Sequence, residues 1–345
     1  SVLSKNPELH DKIEFDVAIT TYSFDIDEKI ALLIDDALTK KEKNIYKECI
    51  KEHSVKLIQG KNEGSIEKAL KKIDALSHKQ TKYQELIDSG SLDGLFHVID
   101  DCINYGTIPF SVLARHGFIA KTLLVSLVNK NILSFQQMND LENSIETIAG
   151  ELVKDLDKCA SSIISKNDFM KKYGHLRPGT YDILSPRYDQ MDGFFDSLEK
   201  PEAIDDKSKK FNFNEKQKIE IDKLLNSIGI DFDSNKFYDY VKKAIAGREY
   251  GKFVFTKSVS ITLEIISKFG ELNGLTKEDL SYIDIKNLLD ICNTSINKHL
   301  ITSLKDIAAV NKQKNILGSS IRLPQILFDT AGVFVVPFQV SQPNF

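Results

Sequence analysis

Apolar residues recur at three- and four-residue spacing through most of this chain, while glycine and proline are scarce inside each such segment. Such a pattern gives each segment one stripe to bury, which predicts a mainly α fold: a large helical domain with few short strands, less than about 15% of residues. Ile26, Ile30, Leu33 and Ile34 begin one stripe, and Ile66, Leu70, Ile73 and Leu76 mark another. Ser134 with Gln137 forms a capping box ahead of a helix expected to run to about Ser165, and Thr276 with Asp279 resembles a second.

Three stretches break the pattern. Phe15 to Phe24 is extended-looking and β-branched. The segment YGHLRPGTYDILSPRY, Tyr173 to Tyr188, holds Pro178, Gly179 and Pro186 and is therefore expected to be an ordered loop. The apolar tail from Ile321 to Phe345 carries Pro324, Pro337 and Pro343 around GVFVVPF, which reads as a strand or a linker that packs elsewhere. The polar stretch Glu199 to Asn214 is the best internal linker. The expected organisation is a helical region at 1–200 containing the loop, a linker at 201–214, a second helical part of the same body at 215–320, and an extended tail at 321–345. The lysine-rich runs Lys40 to Lys47 and Lys207 to Lys210 read as solvated surface.

Composition removes several function classes. Lys and Arg number 46 against 50 Asp and Glu, a net charge of -4, which argues against a dedicated nucleic-acid binder with a basic face. Cys49, Cys102, Cys159 and Cys292 lie far apart with no CxxC pair, so neither a metal site nor a disulfide scaffold is expected, and reduced thiols fit a cytoplasmic protein. No uninterrupted apolar run approaches the roughly 18 to 20 residues that cross a bilayer, so no membrane partner is expected.

Chemistry is concentrated in three clusters. The loop gathers His175, Arg177, Tyr181, Asp182, Ser185 and Arg187, and guanidinium forks beside a carboxylate suit an anionic or zwitterionic ligand. The same residues could instead form an Arg–Asp network that ties the loop to its helices. In GTIPFSVLARHGFIAKTLL, Gly106 to Leu124, Arg115 and His116 interrupt an apolar helix; a buried Arg115 must be paired, either with a substrate or with a neighbouring loop. In GREYGKFVFTKSVS, Gly247 to Ser260, Arg248, Glu249 and Lys252 lie at helical spacing.

At these clusters the chain resembles a known family. The loop is similar to the YGHR-x-PGE-type loop of the rifampin phosphotransferases and related phosphoenolpyruvate-synthase-like enzymes. PELHDKIEFD at Pro7 to Asp16 and the other two clusters look like the middle region of a branch found in bacterial surface-polysaccharide pathways. The resemblance implies a three-part phosphotransferase: an ATP-grasp nucleotide domain that uses ATP and Mg2+, a swivelling phosphohistidine carrier, and a middle part that holds the acceptor. Only the middle part is matched. No Gly-rich nucleotide loop is present, and Ser77-His78 lies in a lysine-rich helix without nearby glycine, unlike a carrier histidine. The chain is therefore expected to lack a catalytic residue and to be inactive alone, with the nucleotide and carrier domains of the full-length protein as partners. For the branch, the implied acceptor is L-glutamine, phosphorylated on its side-chain amide for capsule phosphoramidate synthesis. A sugar or antibiotic acceptor, or a non-catalytic helical interaction module, is the alternative.

On this reading Arg177 and Arg187 neutralise phosphoryl or carboxylate oxygens, Asp182 holds an α-ammonium or orients an arginine, and His175 donates a hydrogen bond or relays a proton. Tyr181 and Arg115 position the acceptor, while Arg248 and Lys252 could face the moving domain. Arg177→Ala is then expected to abolish binding while leaving the unliganded melting temperature within a few degrees.

Overall fold

The computed structural model describes residues 19–34, 38–60, 64–195, 211–292, 296–320 and 330–331. Among them 74% are helical and none is in a strand. The helices are α1 Ile26–Ile34, α2 Lys40–Gln59, α3 Ser65–Gln80, α4 Gln84–Ser89, α5 Leu95–Asp101, α6 Ile108–Asn129, α7 Phe135–Asn143, α8 Ile148–Ala160, α9 Lys166–Tyr173, α10 Glu215–Ser227, α11 Ser234–Asn273, α12 Lys277–Ser281, α13 Ile285–Ile291 and α14 Lys298–Ser320. Pro7 to Asp16, the stretch 196–210 and nearly all of the tail lie outside the described residues.

Local chemistry sets the helix ends. Capping boxes open α2 at Thr39, α7 at Ser134, α10 at Asn214 and α12 at Thr276. Gly274, at φ 69°, closes α11 in the left-handed conformation that glycine adopts without a Cβ clash. The single helix expected from Ser134 to about Ser165 is two. Ser144 Oγ donates to the Leu141 carbonyl at 2.6 Å, and Thr147 Oγ1 accepts from Gly150 N at 3.2 Å, so short polar side chains end one helix and start the next.

The 40-residue helix α11, about 60 Å long at 1.5 Å per residue, organises the interior. Its first half packs on α3 and α6 in the main core with Ile73, Leu76, Leu113, Leu123 and Val241. Its second half, Ile261 to Phe269, forms another core with α5 and the helices from α12 onward. Phe253 packs against a third cluster built by Phe169 and Tyr173. Close approach requires glycine: a Cβ on Gly251 would lie 2.9 Å from Leu113 Cδ1, and one on Gly106 would lie 2.9 Å from Phe255 Cβ.

Helix α6 continues from α5 through a π-helical turn at Cys102–Thr107. Pro109 supplies the reason, since its ring would clash with the carbonyl four residues earlier and it has no N–H to donate; the widened turn accommodates it. The continuous stretch Leu95–Asn129 is long and apolar enough, by length and composition, to cross a membrane, a property that Arg115, His116 and Lys121 disguise in the sequence. Half of its most apolar window, 50%, is buried inside the protein.

One other expectation changes. Phe211 and Phe213, at the end of the expected linker, pack against each other and Tyr238 at ring distances of 5.3 to 6.2 Å. The described part of the extended-looking segment, Ile19 to Phe24, is non-helical, with Thr21 to Phe24 buried, and is tied by Phe24 N to Ser126 Oγ at 3.2 Å and by Tyr22 N to Ser54 Oγ at 3.1 Å.

Candidate functional site

The loop after α9 is held at both ends. Lys172 and Tyr173 reach back to Asp155 of α8 at 3.0 and 2.9 Å, fixing the end of α9. Tyr188 N donates to the Leu176 carbonyl at 2.8 Å and Asp189 N to the Gly174 carbonyl at 3.3 Å, which closes the loop. Inside it, Gly179 N donates to Ser185 Oγ at 2.9 Å and Leu184 N to Asp182 Oδ1 at 2.8 Å. Ile183, 7% exposed, plugs the core formed by the second half of α11, a burial that stabilises docking by roughly 2 kcal/mol. The loop is thus ordered, as its proline and glycine predict.

Arg177 turns inward. Its side chain is 2% exposed, with Nη2 2.6 Å from Glu264 Oε1, Nη1 2.7 Å from the Ser185 carbonyl and Nε 3.2 Å from Ser260 Oγ. Gln190 holds the other oxygen of Glu264 at 2.8 Å. The guanidinium expected to meet ligand oxygens is a strut between loop and α11. Arg187 is more accessible and grips Asp189 with two bonds of 2.9 and 2.5 Å.

Asp182 and Tyr181 face elsewhere. Both are exposed and line a cleft of about 210 Å³ with Leu263, Ile266, Leu280 and Ile283, in which neither arginine takes part. The turn from Gly179 to Ser185 carries Asp182 outward and spends one carboxylate oxygen on Leu184 N, so the expected pairing of Asp182 with Arg177 and Arg187 in one grip does not form.

His175 is buried against the Phe253 ring at 4.8 Å, and neither ring nitrogen makes a well-formed hydrogen bond, although the Phe253 and Lys172 backbone lies near. Burial first, then the charge of Lys257, pushes its pKa down to about 3, so the ring is neutral near pH 7. In this closed setting it has no relay partner among the described residues.

The residue that sequence reasoning missed is Lys257. It is half-buried on α11, has no ionic or hydrogen-bond partner among the described residues, and is held below the usual lysine range by burial and by the Arg187 charge. Lys257, Ser260 and Glu264 fall at i, i+3 and i+7, so one face of α11 presents them to the loop. Their signal was available: Lys257 and Glu264 are the only ionisable residues from Phe253 to Ile266.

The second-tier candidates do not join this site. Arg115 is part-exposed and donates to the Thr20 carbonyl at 3.3 Å, so it locks the segment before α1. Arg248 pairs with Glu249 at 3.1 Å and stacks 5.6 Å over the Phe118 ring, while Lys252 is exposed. All four cysteines are free thiols, and among the described residues no cluster of His, Cys, Asp and Glu could hold a metal ion. Comparison with known protein families, curated proteins and solved structures found no match.

Proposed function

We propose that this chain is the acceptor-binding helical body of a phosphotransferase, and that it holds the anionic end of its acceptor at Lys257 beneath the Tyr173–Tyr188 loop. The uncompensated charge there carries the reading. Arg177, Arg187 and Lys257 bring +3, Glu264 and Asp189 bring −2, and His175 is neutral, leaving +1 without a counter-charge among the described residues. A half-buried cation without a partner is unfavourable until an anion arrives.

Phosphoryl transfer from a phosphohistidine mostly needs alignment and charge compensation. Lys257 would fix a carboxylate or phosphoryl oxygen, and Arg187 could exchange Asp189 for the ligand. Arg177 would keep the loop in register without touching it. The proposed acceptor is L-glutamine, with ATP, Mg2+ and the carrier histidine supplied by other domains of the full-length protein. The fixed position of Arg177 also favours a second reading, a purely architectural loop in a helical interaction module.

Calorimetric titration of the isolated chain separates the two. Under the first reading L-glutamine binds at millimolar concentration and raises the melting temperature, D-glutamine and L-glutamate bind more weakly, and Lys257→Gln binds none of them. Folded wild-type protein that binds neither L-glutamine nor inorganic phosphate would leave the architectural reading.

A further inference from the structure

A cleft of about 290 Å³ lies far from the loop, between α2, the start of α3, α6 and the first turns of α11. Along α11, Tyr240 and Phe253 are separated by about 20 Å at 1.5 Å per residue. At the cleft Ser65 Oγ lies 2.7 Å from His116 Nε2, and His116 Nδ1 lies 3.1 Å from the Tyr240 hydroxyl. Three helices therefore deliver a hydroxyl, an imidazole and an orienting group in one line.

From this geometry we infer that the cleft is a serine-nucleophile site, at which Ser65, with His116 as its general base, attacks the carbonyl of a small ester carrying an anionic group. The constellation needed for covalent catalysis is a nucleophile within hydrogen-bond reach of a base that a third group orients. The Tyr240 hydroxyl is also 3.5 Å from the His116 carbonyl, so it can donate there and accept from Nδ1–H. That arrangement leaves the Nε2 lone pair facing the Ser65 hydroxyl. Burial brings the His116 pKa down to about 4, opposed by the Glu67 charge, so the imidazole is neutral near pH 7 with its Nε2 lone pair unprotonated.

The mouth adds specificity. Lys243 is paired with Glu67 at 3.3 Å, whereas Lys236 lines the same cleft with its ammonium group unpaired among the described residues and can take the substrate's carboxylate. Gly64, at the N-cap of α3, makes no side-chain cap; the Glu67 carboxylate beside it already accepts from its own backbone N–H, which leaves the Ser65 and Ile66 amides to donate to a carbonyl oxygen as it gains charge.

The step balances with water alone. A bond forms from Ser65 Oγ to the ester carbonyl carbon as the bond to the leaving oxygen breaks, and the serine proton passes through His116 Nε2 to the departing alcohol. Water then attacks the acyl-serine, gives a proton through His116 back to Ser65, and releases the acid.

A fluorophosphonate probe tests this directly, since Ser65 would displace fluoride from phosphorus and keep the label. Mass spectrometry is expected to find the label on Ser65, none at that peptide in Ser65→Ala, and labelling about a hundredfold slower in His116→Gln. Should His116→Gln fail to fold, Tyr240→Phe, which keeps the ring and loses the orienting hydroxyl, is expected to label more slowly. A carboxylate-bearing p-nitrophenyl ester should be cleaved faster than a neutral one, with the preference lost in Lys236→Gln. Unlabelled Ser65 in folded wild-type protein, a labelling rate that neither the His116 nor the Tyr240 variant changes, or an equal rate for both esters would overturn the inference.

Discussion

Arg177→Met offers the sharpest contrast between a ligand-facing arginine and a buried strut. The arginine side chain is 2% exposed and Glu264 13%, and they form a 2.6 Å ion pair. Removing one member of a buried pair strands the other, which costs about 3 to 5 kcal/mol. With an unfolding entropy of about 2.1 cal/mol/K per residue, 345 residues give roughly 0.7 kcal/mol/K, so a loss of about 4 kcal/mol lowers the melting temperature by about 6 °C. The double variant Arg177→Met with Glu264→Gln should recover a measurable part of this, because the neutral amide no longer needs a cation. Differential scanning calorimetry of the four proteins in the cycle reads both quantities. An Arg177→Met protein that melts within about 1 °C of wild type, as expected of a residue facing only ligand, would refute the strut and restore the role read from the sequence.

Lys257→Met should melt no lower than wild type, because burial and Arg187 already oppose its charge, yet should lose the stabilisation that phosphate gives the wild type in a thermal shift assay. The pH response follows from the two buried imidazoles, whose folded pKa values of about 4 for His116 and about 3 for His175 lie below the ordinary 6.5. The unfolded chain takes up protons first, so stability should fall by about 1.4 kcal/mol per pH unit for each as pH drops from about 6.5 to about 4. Urea unfolding at pH 7, 6 and 5 should show a shallower decline in His175→Phe. Gly251→Ala should destabilise by about 1 to 3 kcal/mol despite alanine's better helix propensity, since the new methyl would press on Leu113; chemical denaturation checks the sign.

Periodicity and caps made the helices readable because each states a local fact: the stripe on α3 and the capping boxes at Ser134 and Thr276 required no knowledge of distant residues. The break at Ser144 was harder, since its hydroxyl chooses between solvent and the Leu141 carbonyl only when the chain folds. Proline and glycine made the loop legible as a loop. Its side-chain directions were not, because the fate of Arg177 depends on Glu264, 87 residues away, and the outward turn of Asp182 depends on Ile183 finding its pocket. Arg115 illustrates the same limit: the need for a partner could be deduced, but the partner is a backbone carbonyl at Thr20. His116 stood out as a polar interruption, while Ser65 and Tyr240 carried no signal until three helices met.

The place of α11 has a consequence for how the chain is made. Helix α6 ends at Asn129, yet the part of α11 that packs on its Leu113 and Gly117, from Gly247 to Gly251, is made only later. At a synthesis speed of about 5 to 20 residues per second, the growing polypeptide waits roughly 6 to 24 s for that cover. Until then only α3 packs on this face of α6, so a ribosome stalled before Ser234 would hold a chain whose main core is unfinished.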